Sequence, residues 1–120
     1  MALHADSRCP TCRLWLHEND YPDANVETAV HSHSEDEVIF VRAGSIRLGN
    51  RIHGPGTALA IAANTKYGFF SGRDGLSLVN FRGASPTYTS ADGAVVMDEG
   101  ELWRACVKQP EYLTVTGTTS

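Results

Sequence analysis

The stretch His31-Ser-His-Ser-Glu-Asp-Glu37 carries the most functional information in this chain. In a β-strand, side chains two residues apart point to the same face of the sheet. His31 and His33 therefore present two imidazole rings to one point, and a short turn over 34–36 would bring Glu37 back to that point from the neighbouring strand. Two histidines and one carboxylate are the ligand set of a facial metal site with open coordination positions. The spacing predicts such a site on one face of a sheet.

Length and composition indicate an ordinary globular protein. The chain has 120 residues, of which 42% are hydrophobic and 20% charged, and this length suits one domain with a single core. The net charge of −4 and the scattered Lys and Arg residues do not favour nucleic acid or an anionic membrane as a partner. The 3 cysteines, an odd number, argue against a disulfide framework. No signal peptide or membrane-length apolar run is visible, so we expect a cytoplasmic protein.

Short strand patterns alternate with turn signals along the chain. The segments rich in β-branched and aromatic residues are 14–17, 26–33, 37–42, 45–49, 51–53, 57–62, 67–71, 76–82 and 112–116. We expect hairpin turns at Ala43-Gly44 and Gly49-Asn50, a turn at 72–75 and a loop over 83–93. Apolar residues at helical spacing predict a helix over 98–108. The pattern as a whole predicts an all-β sandwich or barrel.

The first motif resembles that of the cupin family, small β-barrels of jelly-roll type. The family pattern is Gly, five residues, His-x-His, three or four residues, Glu, six residues, Gly. His31, His33, Glu37 and Gly44 follow in that register, and Asn25 stands where the first glycine is expected. Asparagine tolerates the left-handed backbone conformation better than most residues, so this departure is mild. The resemblance implies a single cupin domain, with a core barrel over 25–82, extensions at 1–24 and 83–120, and a short C-terminal helix or extension.

The second cupin motif is matched in register rather than in letters. Its pattern is Gly, five residues, Pro-x-Gly, two residues, His, three residues, Asn. Counting from Gly56 puts Ala62, Asn64, Tyr67 and Ser71 at the Pro, Gly, His and Asn positions. Tyr67 therefore stands where the family usually has its fourth metal ligand.

Three interpretations of Tyr67 are open at this stage. A phenol has a pKa near 10, so Tyr67 would ligate as a phenolate only on a Lewis-acidic metal. In that case one divalent transition metal (Fe, Mn, Zn or Ni) is bound by His31, His33, Glu37 and Tyr67. Alternatively Tyr67 is a catalytic acid or base beside a three-ligand metal. In the third interpretation metal binding is degraded and a polar pocket remains.

The resemblance implies a function in the barrel cavity. The first hypothesis is a metal-dependent enzyme, an oxygenase, isomerase or lyase acting on a small organic molecule. The alternative is a non-catalytic cupin that binds or senses a small ligand, with or without metal. A metal-free structural relic is a third hypothesis. Many small cupins pair through sheet faces or terminal strands, so we expect a homodimer.

Three further features allow a functional or an ordinary explanation. The pair Cys9-Pro-Thr-Cys12 suits a redox-active thiol pair, a zinc site of two cysteines with His4 and His17, or an ordinary turn with two thiols. Glu27 shares the strand parity of the two motif histidines, so it lines the cavity or lies in water at the barrel mouth. Arg82 is a candidate anchor for an anionic substrate, or a solvated residue at a strand end.

Overall fold

The computed structural model describes residues 2–4, 14–83 and 87–98. Nine antiparallel strands lie in these ranges: β1 (Ala2–His4), β2 (Leu14–Tyr21), β3 (Glu27–His33), β4 (Glu37–Leu48), β5 (Arg51–His53), β6 (Ala58–Ile61), β7 (Tyr67–Gly83), β8 (Thr87–Ser90) and β9 (Val95–Asp98). The all-β class predicted from the sequence is confirmed. The Cys9–Cys12 pair, and the helix and strand predicted after residue 98, lie outside the described residues. In the described part of the chain, no helix is long and apolar enough to cross a membrane.

Strand β7 organises the sheet, because it pairs with three other strands. Over 76–83 it is antiparallel to all of β2, and over 76–82 it also pairs with β4. Its first residues pair with β3, and β8 adds to the other side of β3. The sheet therefore includes strands that precede and strands that follow, in sequence, the 25–82 range expected for the barrel core.

Two predicted turns are instead bulges inside long strands. The predictions of a hairpin at Ala43-Gly44 and of a turn over 72–75 are wrong, because β4 and β7 run through these positions. Gly44 and Gly75 have φ values of 69° and 80°, and a Cβ on Gly44 would overlap the carbonyl oxygen of Gly75. Positive φ and close backbone approach both require glycine, whether the chain turns or only bends. The predicted hairpin at Gly49-Asn50 is confirmed between β4 and β5.

Two asparagines adopt the left-handed conformation at the positions where the motif register places glycine. Asn25 has φ 56° and Asn64 has φ 64°. The Asn25 amide donates to the Ser71 carbonyl at 3.0 Å, and the Asn64 amide donates to the His33 carbonyl at 2.7 Å. The Ser71 hydroxyl donates to the Asp23 carbonyl at 2.6 Å, so it holds the turn that precedes β3. These bonds place the end of β3 beside the start of β7.

The core lies on the inward faces of β4 and β7. It consists of aliphatic side chains and one aromatic ring: Ile39, Val41, Ile46, Phe69, Leu76 and Leu78. Burial alternates along 37–41 of β4, as expected for a strand with one face on the core. Glu37 shares this inward face, so its carboxylate is buried next to the apolar core.

Gly68 allows β7 to approach the bulge in β3 that precedes the two histidines. A Cβ on Gly68 would lie 2.8 Å from the Thr28 carbonyl oxygen and 3.0 Å from the Val30 nitrogen. Gly68→Ala should therefore lower the free energy of unfolding by about 1–3 kcal/mol, measured by urea denaturation, because two backbones must separate. Gly54→Ala is the matched control, since its Cβ would meet nothing within 4 Å. Equal losses in the two variants would contradict this account.

Candidate functional site

Strand β3 buries the two motif histidines with their Nδ1 atoms bonded to the backbone. His31 Nδ1 lies 2.7 Å from the Ala29 carbonyl oxygen, and His33 Nδ1 lies 3.0 Å from the Thr87 carbonyl oxygen. A carbonyl oxygen only accepts, so Nδ1 carries the proton and Nε2 carries the lone pair in each neutral ring. A backbone partner on the other ring nitrogen is the usual support for a metal-ligating histidine.

Burial keeps His31 in its neutral form near pH 7. Loss of solvation lowers the pKa of His31, and the hydrogen bond to the Ala29 carbonyl opposes this effect only in part. His33 and Arg82 lower this pKa further, whereas the Glu37 carboxylate raises it. The neutral imidazole is the form that binds a metal.

Glu37 is the centre of a buried hydrogen-bond network. Tyr67 donates its hydroxyl proton to Oε1 of Glu37, and Arg82 Nε donates to Oε2 at 2.6 Å. Asn80 Nδ2 lies 3.4 Å from the same Oε2, and His33 Nε2 lies 3.9 Å from it. The solvated interpretation of Arg82 is wrong: its side chain is 5% exposed, because the strand register puts it directly opposite Glu37.

Two tyrosines enclose the ring of His31. Tyr67 is the register partner of His31 on β7, and the two ring centroids are 4.6 Å apart. Tyr88, on the neighbouring strand β8, stacks on the His31 ring with centroids 4.5 Å apart and an interplanar angle of 4°. The predicted loop over 83–93 is wrong at this segment, so Tyr88 is absent from the predicted site. The signal was the β-forming run Thr87-Tyr-Thr-Ser90, which is the whole of β8.

The inner face of the sheet curves around a small cavity of about 110 Å³. Its walls combine polar and aromatic side chains from five strands: His17, Asn19, Tyr21, Thr28, His31, His33, Ile39, Tyr67, Phe69, Leu78, Asn80, Arg82 and Tyr88. A cavity of this volume accommodates several water molecules or a small organic molecule.

Two side chains lie where the sequence did not place them. Glu27 is exposed and Thr28 lines the cavity, because a bulge between Thr28 and His31 reverses the alternation of faces along β3. The cavity alternative for Glu27 is therefore wrong. His17, considered only as a partner of the cysteine pair, is buried in the cavity wall opposite Asn80.

The donor types of the site suit a divalent metal, but the described side chains are not arranged as a metal-binding group. The structure brings His31, His33, Glu37 and Tyr67 together, and imidazole nitrogens with a carboxylate suit Fe, Mn, Ni or Zn. Within the ranges 2–4, 14–83 and 87–98, no three His, Cys, Asp or Glu side chains form a ready metal-binding group. Glu37 is instead paired with Tyr67 and Arg82. A carboxylate has about four acceptor positions, and described residues use three of them.

The fold of this chain is similar to that of solved cupin structures. A protein of unknown function with a cupin-like fold from Ralstonia eutropha gives a TM-score of 0.63 at 12% identity, over 90% of this chain and 69% of that chain. An acetylacetone dioxygenase from Acinetobacter johnsonii gives 0.66 at 14% identity, over 87% and 75%. The polyketide cyclase RemF from Streptomyces resistomycificus gives 0.59 at 22% identity, over 91% and 78%. No protein-family model and no curated protein sequence matches the chain.

These similarities confirm the cupin fold that the first motif predicts. At 12% to 22% identity they concern the backbone and not the chemistry. The role of each site residue therefore rests on the geometry described above.

Metal-free protein is expected to lose stability in mild acid because of His31. Its pKa is lowered in the folded state, so the unfolded chain, with a histidine pKa of about 6.5, binds a proton first as the pH falls. The contribution to the free energy of unfolding is complete above pH 7 and falls below about pH 6.5, by at most about 1.4 kcal/mol per pH unit. Urea denaturation with a chelator, between pH 7.5 and 5, measures this slope. His31→Gln should make the slope shallower, and an unchanged slope would contradict the assignment.

Removing the cation from the buried pair should destabilise the fold strongly. Arg82→Met leaves the Glu37 carboxylate buried without its ion-pair partner, which costs about 3–5 kcal/mol of unfolding free energy. Arg42→Met is the matched control, because the ion pair of Arg42 with Glu18 lies at the surface and should contribute little. Urea denaturation of both variants gives the comparison. Adding Glu37→Gln to Arg82→Met should recover part of the lost stability. Equal losses in Arg82→Met and Arg42→Met would contradict this prediction.

Proposed function

We propose that this protein is a metal-dependent enzyme that acts on a small organic molecule inside the cupin barrel. The carrying observation is the buried pair of His31 and His33, each with Nδ1 bonded to a backbone carbonyl, beside the buried carboxylate of Glu37. Burying this many polar groups in a small domain costs free energy. A metal bound by the two Nε2 atoms and Glu37 explains why the chain maintains them.

Tyr67 is the acid–base group of the proposed site. Its hydroxyl donates to Glu37 and its side chain lines the cavity, so the phenol oxygen can accept a proton from a bound molecule while its own proton passes to Glu37. This favours the acid–base interpretation of Tyr67 over the ligand interpretation, because a phenol that keeps its proton on the hydrogen bond to Glu37 is a poor metal ligand. A bound divalent metal would supply Lewis-acid or redox chemistry.

The similar structures support the class of function rather than a substrate. Two of them are named as enzymes, a dioxygenase and a cyclase, so this fold accommodates catalysis on small molecules. For this chain the reaction type is open among oxygenation, isomerisation and lyase chemistry, since fold alone does not determine it.

A metal-free ligand-binding protein is the second candidate. The engagement of Glu37 by Tyr67 and Arg82 favours it, because the carboxylate is satisfied without a metal. The cavity would then bind its ligand through hydrogen bonds and ring contacts alone. Metal loading separates the two candidates.

Metal affinity should depend on the two buried histidines. Protein prepared without an affinity tag should take up about one Co²⁺ per chain, as expected for a single facial site, seen by visible absorption and elemental analysis. His31→Ala and His33→Ala should each weaken the affinity at least about 100-fold, since loss of even an indirect support costs 10–100-fold. His53→Ala is the control, because His53 lies on β5 outside the cavity wall.

A chain that stays metal-free after loading with Fe, Mn, Ni and Zn would contradict the metal-dependent proposal and favour the ligand-binding candidate. Equal affinities of the His53→Ala, His31→Ala and His33→Ala variants would place the metal elsewhere.

A further inference from the structure

We infer that the metal site binds its metal together with a small oxygen anion, such as a carboxylate, and that Arg82 selects this class of ligand. The inference rests on the proposed metal binding and adds the chemical class of the molecule in the cavity. It follows from the charges of the described residues around the cavity.

The buried charges balance before a metal is added. Among the described residues that line the cavity, Arg82 is the one permanent cation, and no aspartate or glutamate is present. The carboxylate that meets Arg82 is Glu37, at 2.6 Å, with side-chain exposures of 5% and 1%. The two histidines bind a metal as neutral rings. Arg82 in the cavity wall and Glu37 behind it therefore give the site a net charge near zero.

A divalent metal would raise this charge to about +2 in a buried site. Isolated buried charge is expensive, and the remaining described wall offers only dipoles from amides, hydroxyls and rings. An anion that enters with the metal removes most of this cost. Coupled binding of this kind is reciprocal, because each ligand must raise the affinity for the other by the same factor.

Arg82 also accounts for the selection of an oxygen anion. Its guanidinium is a fork of five donors whose spacing matches a carboxylate, and it lines the same cavity as both histidines. The 110 Å³ cavity accommodates a small anion. Acetate has this size and charge, and acetamide has the same shape without the charge.

The test measures Co²⁺ affinity by visible absorption in the absence of additive, with acetate and with acetamide. Saturating acetate should tighten the affinity at least about tenfold, within the usual range of 5–150-fold for coupled sites. Acetamide should change it less than about twofold. Association of Co²⁺ with acetate in solution is measured separately and subtracted.

Variants at Arg82 assign the effect to this side chain. Arg82→Met should bind Co²⁺ more tightly without additive, because an unpaired Glu37 carboxylate attracts the cation, and should lose most of the acetate effect. Arg82→Lys keeps the charge but loses the donor fork, so it should keep only part of the acetate effect. Circular dichroism checks that each variant folds. If Arg82→Met does not fold, the comparison of acetate with acetamide on the unaltered protein tests the anion inference.

The outcomes separate this inference from the proposed function. Co²⁺ binding that is indifferent to acetate, or equally enhanced by acetamide, overturns the anion inference and leaves the metal-dependent function standing. An acetate effect that survives in Arg82→Met overturns the role of Arg82. No Co²⁺ binding under any of these conditions overturns both.

Discussion

The ion pair between Glu37 and Arg82 joins the two longest strands of the sheet at their inward faces. The residues are register partners on β4 and β7, and both side chains are buried. Neither charge is tolerated there without the other, because an unpaired buried charge costs several kcal/mol. The pairing of β4 with β7 is therefore tied to the polar centre, and any slip by one residue would bury one charge and turn the other toward the solvent.

The same ion pair determines the chemistry that is open to the cavity. Arg82 and Tyr67 hold the Glu37 carboxylate in one orientation, so the carboxylate serves as a hydrogen-bond acceptor before any metal is present. A metal bound by Glu37 would have to share the carboxylate with the Arg82 guanidinium. His31 and His33 differ in this respect, since backbone carbonyls hold their rings and leave Nε2 as the donor atom.

The motif positions could be predicted from the sequence because spacing along a strand translates directly into direction. The register also placed Asn25, Asn64 and Tyr67 correctly, although none of them has the letter the cupin pattern expects. The glycines do not distinguish a turn from a bulge, because a left-handed residue occurs in both. The sequence therefore predicts turns at Gly44 and Gly75, although β4 and β7 continue past them.

By itself, the sequence determined the strand-rich class and the inward direction of His31, His33 and Glu37. These properties depend on residues that are close in the chain or on one regular alternation. Only the tertiary structure decided the partners of Glu37, the burial of Arg82 and the stacking of Tyr88 on His31. Those contacts join strands far apart in sequence, and a single bulge in β3 changes which side chains face the cavity, so strand spacing alone does not specify them.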